Sequence, residues 1–178
     1  MSRGDADRFL VNVAELLRRP ASRLHVQERI PVEGVAVIDT RIPDGTFVEV
    51  DLELESMTDG IVATGHVRAP WEGECRRCLE RAEGDLDVAV RELFQDPSRA
   101  VDEDAFALEG EQVDLVPLVR DALMLELPLA PVCRPDCAGL CPTCGVDLNQ
   151  EPEGHHHEQL DPRWAALGDL RLDAADEG

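Results

Sequence analysis

Apolar and polar positions alternate most cleanly between residues 48 and 71. Val48, Val50, Leu52 and Leu54 interleave with Glu49, Asp51, Glu53 and Glu55, the period of two that turns one strand face inward and the other to water. Met57-Thr58-Asp59-Gly60 reads as a turn, with Gly60 able to take a positive φ. Ile61, Ala63, Gly65, Val67, Ala69 and Trp71 then line one face of a second strand, opposite Val62, Thr64, His66 and Arg68. An antiparallel hairpin follows. Matching its apolar faces sets Asp51 near His66 and Glu49 near Arg68. Leu86, Val88 and Val90 alternate again with Asp85, Asp87 and Arg91, which predicts a third strand.

The flanking segments are less regular. Phe9 to Val13 reads as a strand and Ala14 to Arg19 as a short helical turn stopped by Pro20. Ser22 to Ile38 reads as one or two strands, with Pro31 and Gly34 interrupting Leu24, Val26, Ile30 and Val35. Residues 95–112 are acidic and poor in apolar side chains, and read as an exposed loop. Asp114 then caps a helix over 115–127 whose broad stripe of Leu115, Leu118, Val119, Ala122, Leu123 and Leu125 faces the sheet. Pro117 fits its first turn and Pro128 ends it. A last short helix starts at Asp161-Pro162, with Trp164, Leu167 and Leu170 on one side.

These elements predict an α+β fold. An antiparallel β-sheet of hairpins or a meander, with a barrel-like curl as one form of it, is packed by one apolar helix. A C-terminal Cys-rich zinc-binding segment and the short terminal helix follow. The expected domains are 1–130, the β-rich core with its helix, and 131–178, the Cys/His metal-binding segment and terminal helix.

Charge narrows the partners. Asp and Glu number 38 against 17 basic residues, all of them Arg, for a net charge of -21. Such a chain is repelled by phosphate backbones, so bare nucleic acid is not expected as a direct ligand and basic proteins are the natural partners. No apolar run reaches membrane-spanning length, and the N-terminus lacks the order of a signal peptide. A cytoplasmic, membrane-free protein is expected, in which paired cysteines serve metal in preference to disulfides.

Candidate chemistry lies in the six cysteines. Cys75-Arg76-Arg77-Cys78 falls at the tip between two strands, and Cys141-Pro142-Thr143-Cys144-Gly145 repeats the Cys-x2-Cys turn. Each turn aims two sulfurs at one point, half of a tetrahedral zinc site. Cys133 and Cys137 lie between them, and His155 and His157 follow. One partition takes Cys141, Cys144, His155 and His157 for one ion and Cys75, Cys78, Cys133 and Cys137 for another. One-site alternatives stay open: Cys133, Cys137, Cys141 and Cys144 as a local all-cysteine site, or the two Cys-x2-Cys turns facing each other. So do a redox pair and plain surface thiols and histidines. No phosphate loop, His-Glu-x-x-His or nucleophile elbow is present, and four-cysteine sites are closed and structural. A binding or scaffolding protein is expected over an enzyme.

Four stretches act together as a signature. They are Glu74-Cys75-Arg76-Arg77-Cys78-Leu79 after a strand, Leu127 to Cys133 after the apolar helix, Gly139 to Gly145 with Leu148-Asn149, and Asp161 to Leu167. In order and spacing they resemble the YceD family, the large-ribosomal-RNA accumulation proteins of bacteria and plastids, over residues from about 46 to 171. Many relatives carry Cys-x-Cys where this chain has His155-His156-His157, which favours the histidines as ligands. The resemblance implies a ribosome-biogenesis factor needed for accumulation of large-subunit ribosomal RNA. Its acidity points to a basic large-subunit ribosomal protein or precursor particle as partner. The acid row Glu49, Asp51, Glu53 and Glu55 is expected to steer that encounter. The competing class is a zinc- or thiol-dependent enzyme acting on RNA or protein.

Overall fold

A computed structural model describes residues 8–100, 102–151 and 154–157. The expected helix at 161–171 lies outside the described residues. The chain forms two compact units, 1–137 and 138–178.

In the first unit, β1 (Leu10–Asn12) leads into α1 (Ala14–Arg18), then β2 (Arg23–Pro31), β3 (Ala36–Val37) and β4 (Thr40–Arg41). The long central strands are β5 (Phe47–Met57), β6 (Gly60–Glu74) and β7 (Arg81–Gln95). β8 (Phe106–Glu109), β9 (Gln112–Asp114) and α2 (Leu115–Glu126) complete it. The alternation that predicted the β5–β6 hairpin also sets its register, with Asp51 opposite His66 and Glu49 opposite Arg68. A shift of one residue would expose Val48, Val50, Leu52 and Leu54, all of which are buried.

The sheet runs β2–β5–β6–β7–β8–β9–β1, and the upper part of β6 pairs with β4, which pairs with β3. It curls as a half-barrel: the end strands β1 and β2 flank one groove lined by Leu10, Asn12, Leu24 and Gln27. All pairings are antiparallel except β7 with β8, which is parallel. The inner face and the buried stripe of α2 (Leu115, Leu118, Val119, Leu123) form one core with Ile30, Leu52, Ile61 and Phe94. α2 packs on β6 and β7. Its cap is as expected, the Asp114 carboxylate accepting from Val116 N–H at 3.2 Å.

Two expectations are corrected. Residues 95–112 are not a loop throughout, since β8 and β9 fall within and beside them. Phe106, packed partly buried on Phe94, and buried Leu108 and Val113 supply the apolar positions that hold this short hairpin. Leu125, expected in the stripe of the long helix that faces the sheet, is exposed, while the short helical turn expected at Ala14 to Arg19 forms as α1 and joins the core through Ala14 and Leu16. Among the described residues no helix is long and apolar enough to cross a membrane.

The acid row on β5 is not a bare negative stripe. β2 lays a column of bases beside it: Arg23 meets Glu53 at 2.9 Å, His25 meets Asp51 at 2.7 Å, and Arg29 approaches Glu49 at 3.8 Å. On the other side His66 and Arg68 bond Asp87 at 2.6 and 3.0 Å. The outer face is a lattice of alternating sign.

Candidate metal centres

The β6–β7 ladder runs unbroken to Glu74 and Arg81, so residues 75–80 form a tight knuckle at its tip. Cys75 N–H donates to Glu80 C=O at 2.7 Å and Leu79 N–H to Cys75 C=O at 2.9 Å. The reversal puts Cys75 and Cys78 on one side. α2 then delivers the other half. After Leu127, Pro128 C=O accepts from the buried Thr40 hydroxyl at 3.0 Å, and Pro131 C=O accepts from Arg76 N–H at 2.9 Å. The Arg77 guanidinium donates to Cys137 C=O at 2.9 Å. Strand tip and post-helix segment are thereby bound together through backbone groups.

The result is one sulfur cluster. Cys75 and Cys137 Sγ lie 3.8 Å apart and Cys78 and Cys133 Sγ 3.6 Å apart. All four donors fall within 4.8 Å of one another. A tetrahedron of Zn–S bonds near 2.3 Å has edges of about 3.8 Å, so the spacing suits such an ion. Cys75, Cys78 and Cys137 are buried and Cys133 is exposed.

The second unit holds the other cluster. Cys141 N–H donates to Val146 C=O and Gly145 N–H to Cys141 C=O, both at 2.8 Å, with Gly145 at φ 74. Leu140 bridges Asp147, Leu148 N–H donates to Gly139 C=O, and the Asn149 side chain accepts from Ala138 N–H at 2.8 Å. On this small frame Cys144 Sγ lies 3.5 Å from His155 Nε2 and 3.3 Å from His157 Nε2. The two Nε2 atoms are 3.1 Å apart. With Cys141 these four donors again fall within 4.8 Å. Tetrahedral zinc with N and S ligands has N–N and N–S edges of about 3.3 and 3.6 Å.

Electrostatics agree with sites that want a cation. Burial raises the Cys75 thiol, but N–H groups of the Cys133, Cys78 and Arg77 backbones outweigh it and bring it down to about 6. Backbone N–H groups of Cys144 and Thr143 bring Cys141 down to about 6. Cys78 goes the other way: against backbone donation from Glu80, burial and the neighbouring sulfurs push it up to about 12. One thiolate forms easily in each cluster, and a further negative sulfur beside Cys75 is disfavoured unless a cation joins them.

The structure thus brings Cys75, Cys78, Cys133 and Cys137 together, and Cys141, Cys144, His155 and His157 together. Thr40 went unmarked in the sequence, and Arg77 and Asn149 stood in the signature without their framing bonds being legible.

The first unit is thus a largely antiparallel half-barrel with a cysteine knuckle at the tip of its longest hairpin, and the second a compact Cys/His unit. The profile of the family described as "Large ribosomal RNA subunit accumulation protein YceD" matches residues 63–171, and the chain belongs to that family. An uncharacterized protein of Mycobacterium tuberculosis is 44% identical over 176 residues, covering 93% of this chain and 82% of the relative. The uncharacterized protein YlbN of Bacillus subtilis is 26% identical over 165 residues, 89% of this chain and 94% of its own. A chloroplastic protein of Zea mays, named large ribosomal RNA subunit accumulation protein YCED homolog 1, is 43% identical over 44 residues. That match covers 25% of this chain and 15% of the plant protein. No solved structure matches.

Proposed function

We propose that the protein is a non-enzymatic assembly factor of the large ribosomal subunit that supports accumulation of its ribosomal RNA in the cytoplasm. Both clusters hold zinc, and each ion is structural: the first fixes the post-helix segment to the β6–β7 tip, the second closes the small unit around Cys141. The observation that supports this best is the donor set. Four sulfurs, or two sulfurs and two imidazole nitrogens, at tetrahedral spacing fill a zinc ion's coordination and leave no place for a reacting water. The family's printed description supplies the ribosomal context. With 38 acidic against 17 basic residues, the partner is a basic large-subunit protein or a precursor particle that displays one.

Depletion of the protein in its host, followed by quantification of both ribosomal RNAs, tests the reading. The large-subunit RNA should fall against the small-subunit RNA, and the wild-type gene should restore it while a Cys75→Ser/Cys133→Ser gene should not. Unchanged RNA ratios on depletion would refute it.

A further inference from the structure

Ile38 and Leu79 are 77% and 63% exposed, large aliphatic side chains turned to water. Both sit in the left-handed region, at φ 53 and 63. That conformation is disfavoured for any residue with a Cβ, and a β-branched side chain makes it a true outlier. The knuckle itself does not demand a leucine, because the second knuckle makes the same turn with Gly145 at φ 74. Burial does not account for either side chain. Strain kept at two exposed apolar residues points outward, to a contact with something else.

The two residues belong to one surface. They line a single groove of about 550 Å³ on the first unit, between the β3–β4 turn and the knuckle. The turn is pinned there: Asp39 C=O accepts from Glu74 N–H at 3.3 Å, and a Cβ on Gly73 would lie 2.5 Å from that same oxygen. Gly73 is what lets Ile38 stand beside Leu79. Around them, Glu72 is held by Arg41 at 2.8 Å and Arg81 at 3.1 Å, so these three charges satisfy one another. The carboxylates of Asp39 and Glu74 have no cationic partner among the described residues. The lining therefore carries three acids to two bases around an apolar pair.

We infer that this groove docks a basic polypeptide segment, seating an aliphatic or aromatic side chain on Ile38 and Leu79 and its flanking Lys or Arg near Asp39 and Glu74. The inference rests on the assembly-factor reading for the natural source of that segment. A phosphate backbone would be repelled by the same rim. Each acid of the β5 row has a basic side chain beside it, Arg29 at Glu49, His25 at Asp51 and Arg23 at Glu53 and Glu55, whereas Asp39 and Glu74 have none among the described residues.

The test uses the full, zinc-loaded chain as bait for random twelve-residue peptides displayed on phage. Selected peptides should carry Lys or Arg around one large apolar residue. Their synthetic forms should lose at least tenfold in affinity on Ile38→Gly/Leu79→Gly. Glycine accepts both backbone angles without strain, and a melting temperature no lower than wild type with unchanged metal content would verify that this variant folds. Asp39→Asn/Glu74→Gln should weaken binding less and flatten its salt dependence. Peptides without basic bias, or bound equally by the glycine variant, would overturn the inference. So would a dimer of this chain abolished by the same substitutions, or tighter groove-dependent binding of single-stranded RNA. If purified large-subunit proteins bind wild type and glycine variant alike, this docking site is wrong and the assembly reading stands. If the peptides bind the groove and no ribosomal protein binds the chain, the assembly reading fails and the groove stands.

Discussion

Trp71 lies across Gly84 in the β6–β7 ladder, and a Cβ on Gly84 would come within 2.9 Å of the indole Nε1. The missing side chain is the space the indole occupies, just below the knuckle. Gly84→Ala should therefore displace the ring and cost about 1–3 kcal/mol, the usual penalty of overpacking. Denaturant melts and the shift of Trp71 emission, with Trp164 replaced by Phe, would measure it; an unchanged midpoint would mean the contact is slack.

Elemental analysis of the purified protein should give two zinc ions per chain. His155→Ala/His157→Ala should remove one and leave the other, because its donors share nothing with Cys75, Cys78, Cys133 and Cys137. Retention of both ions in that variant would show that the histidines are not ligands.

Chelation should not melt the whole protein. Binding of a structural zinc is worth on the order of 10 kcal/mol in small modules, and its loss should expose amides over 130–157 first. The β5–β6 hairpin has its own buried face of Val48, Val50, Leu52 and Leu54. Hydrogen exchange should show protection lost in the first region and kept in the second.

Asp87 accepts from Arg68 and His66, and those bonds hold its carboxyl below the ordinary value of 3.8. A depressed folded-state pKa contributes stability that is full above the unfolded value and fades as pH falls through the folded one. The contribution of Asp87 is thus present at neutral pH and lost only below about pH 4. Carbon-detected NMR titration should find the Asp87 midpoint low, and Arg68→Ala should move it up.

The Arg23–Glu53 pair joins side chains that are 58% and 46% exposed. A double-mutant cycle should give a coupling of about 0.2–1 kcal/mol, shrinking with salt. Since Glu53 is already matched, reversing Glu49, Asp51 and Glu53 should disturb the sheet face more than it slows a basic partner. Association rates of that triple variant against Asp39→Lys/Glu74→Lys would decide which acids steer.

Much of the first unit was legible because one buried face imposes a strict period, as Val48 to Leu54 and Ile61 to Ala69 do. The knuckle was legible because Cys-x2-Cys admits few geometries. β8 and β9 were not, since they are held by distant partners, β8 by a parallel pairing with β7 and β9 by β1, that no local pattern announces. The neighbours of the acid row were hidden for a similar reason: sequence shows Glu49 to Glu55 on one strand, while Arg23, His25 and Arg29 arrive from a strand 20 or more residues away. Leu79 hid its left-handed turn behind a side chain that usually avoids one.

The two clusters also differ in how far apart their donors lie along the chain. Cys78 and Cys133 are 55 residues apart, while Cys144 and His155 are separated by 11. Loop closure over the longer span costs only about 1.4 kcal/mol more entropy, and the span it closes contains β7, β8, β9 and α2. During synthesis the small cluster can close from local chain alone, whereas the cluster at the β6–β7 tip cannot close until the 55 residues from Cys78 to Cys133 have been made. Once filled, it ties the start of β7 to the segment after α2 across that whole span.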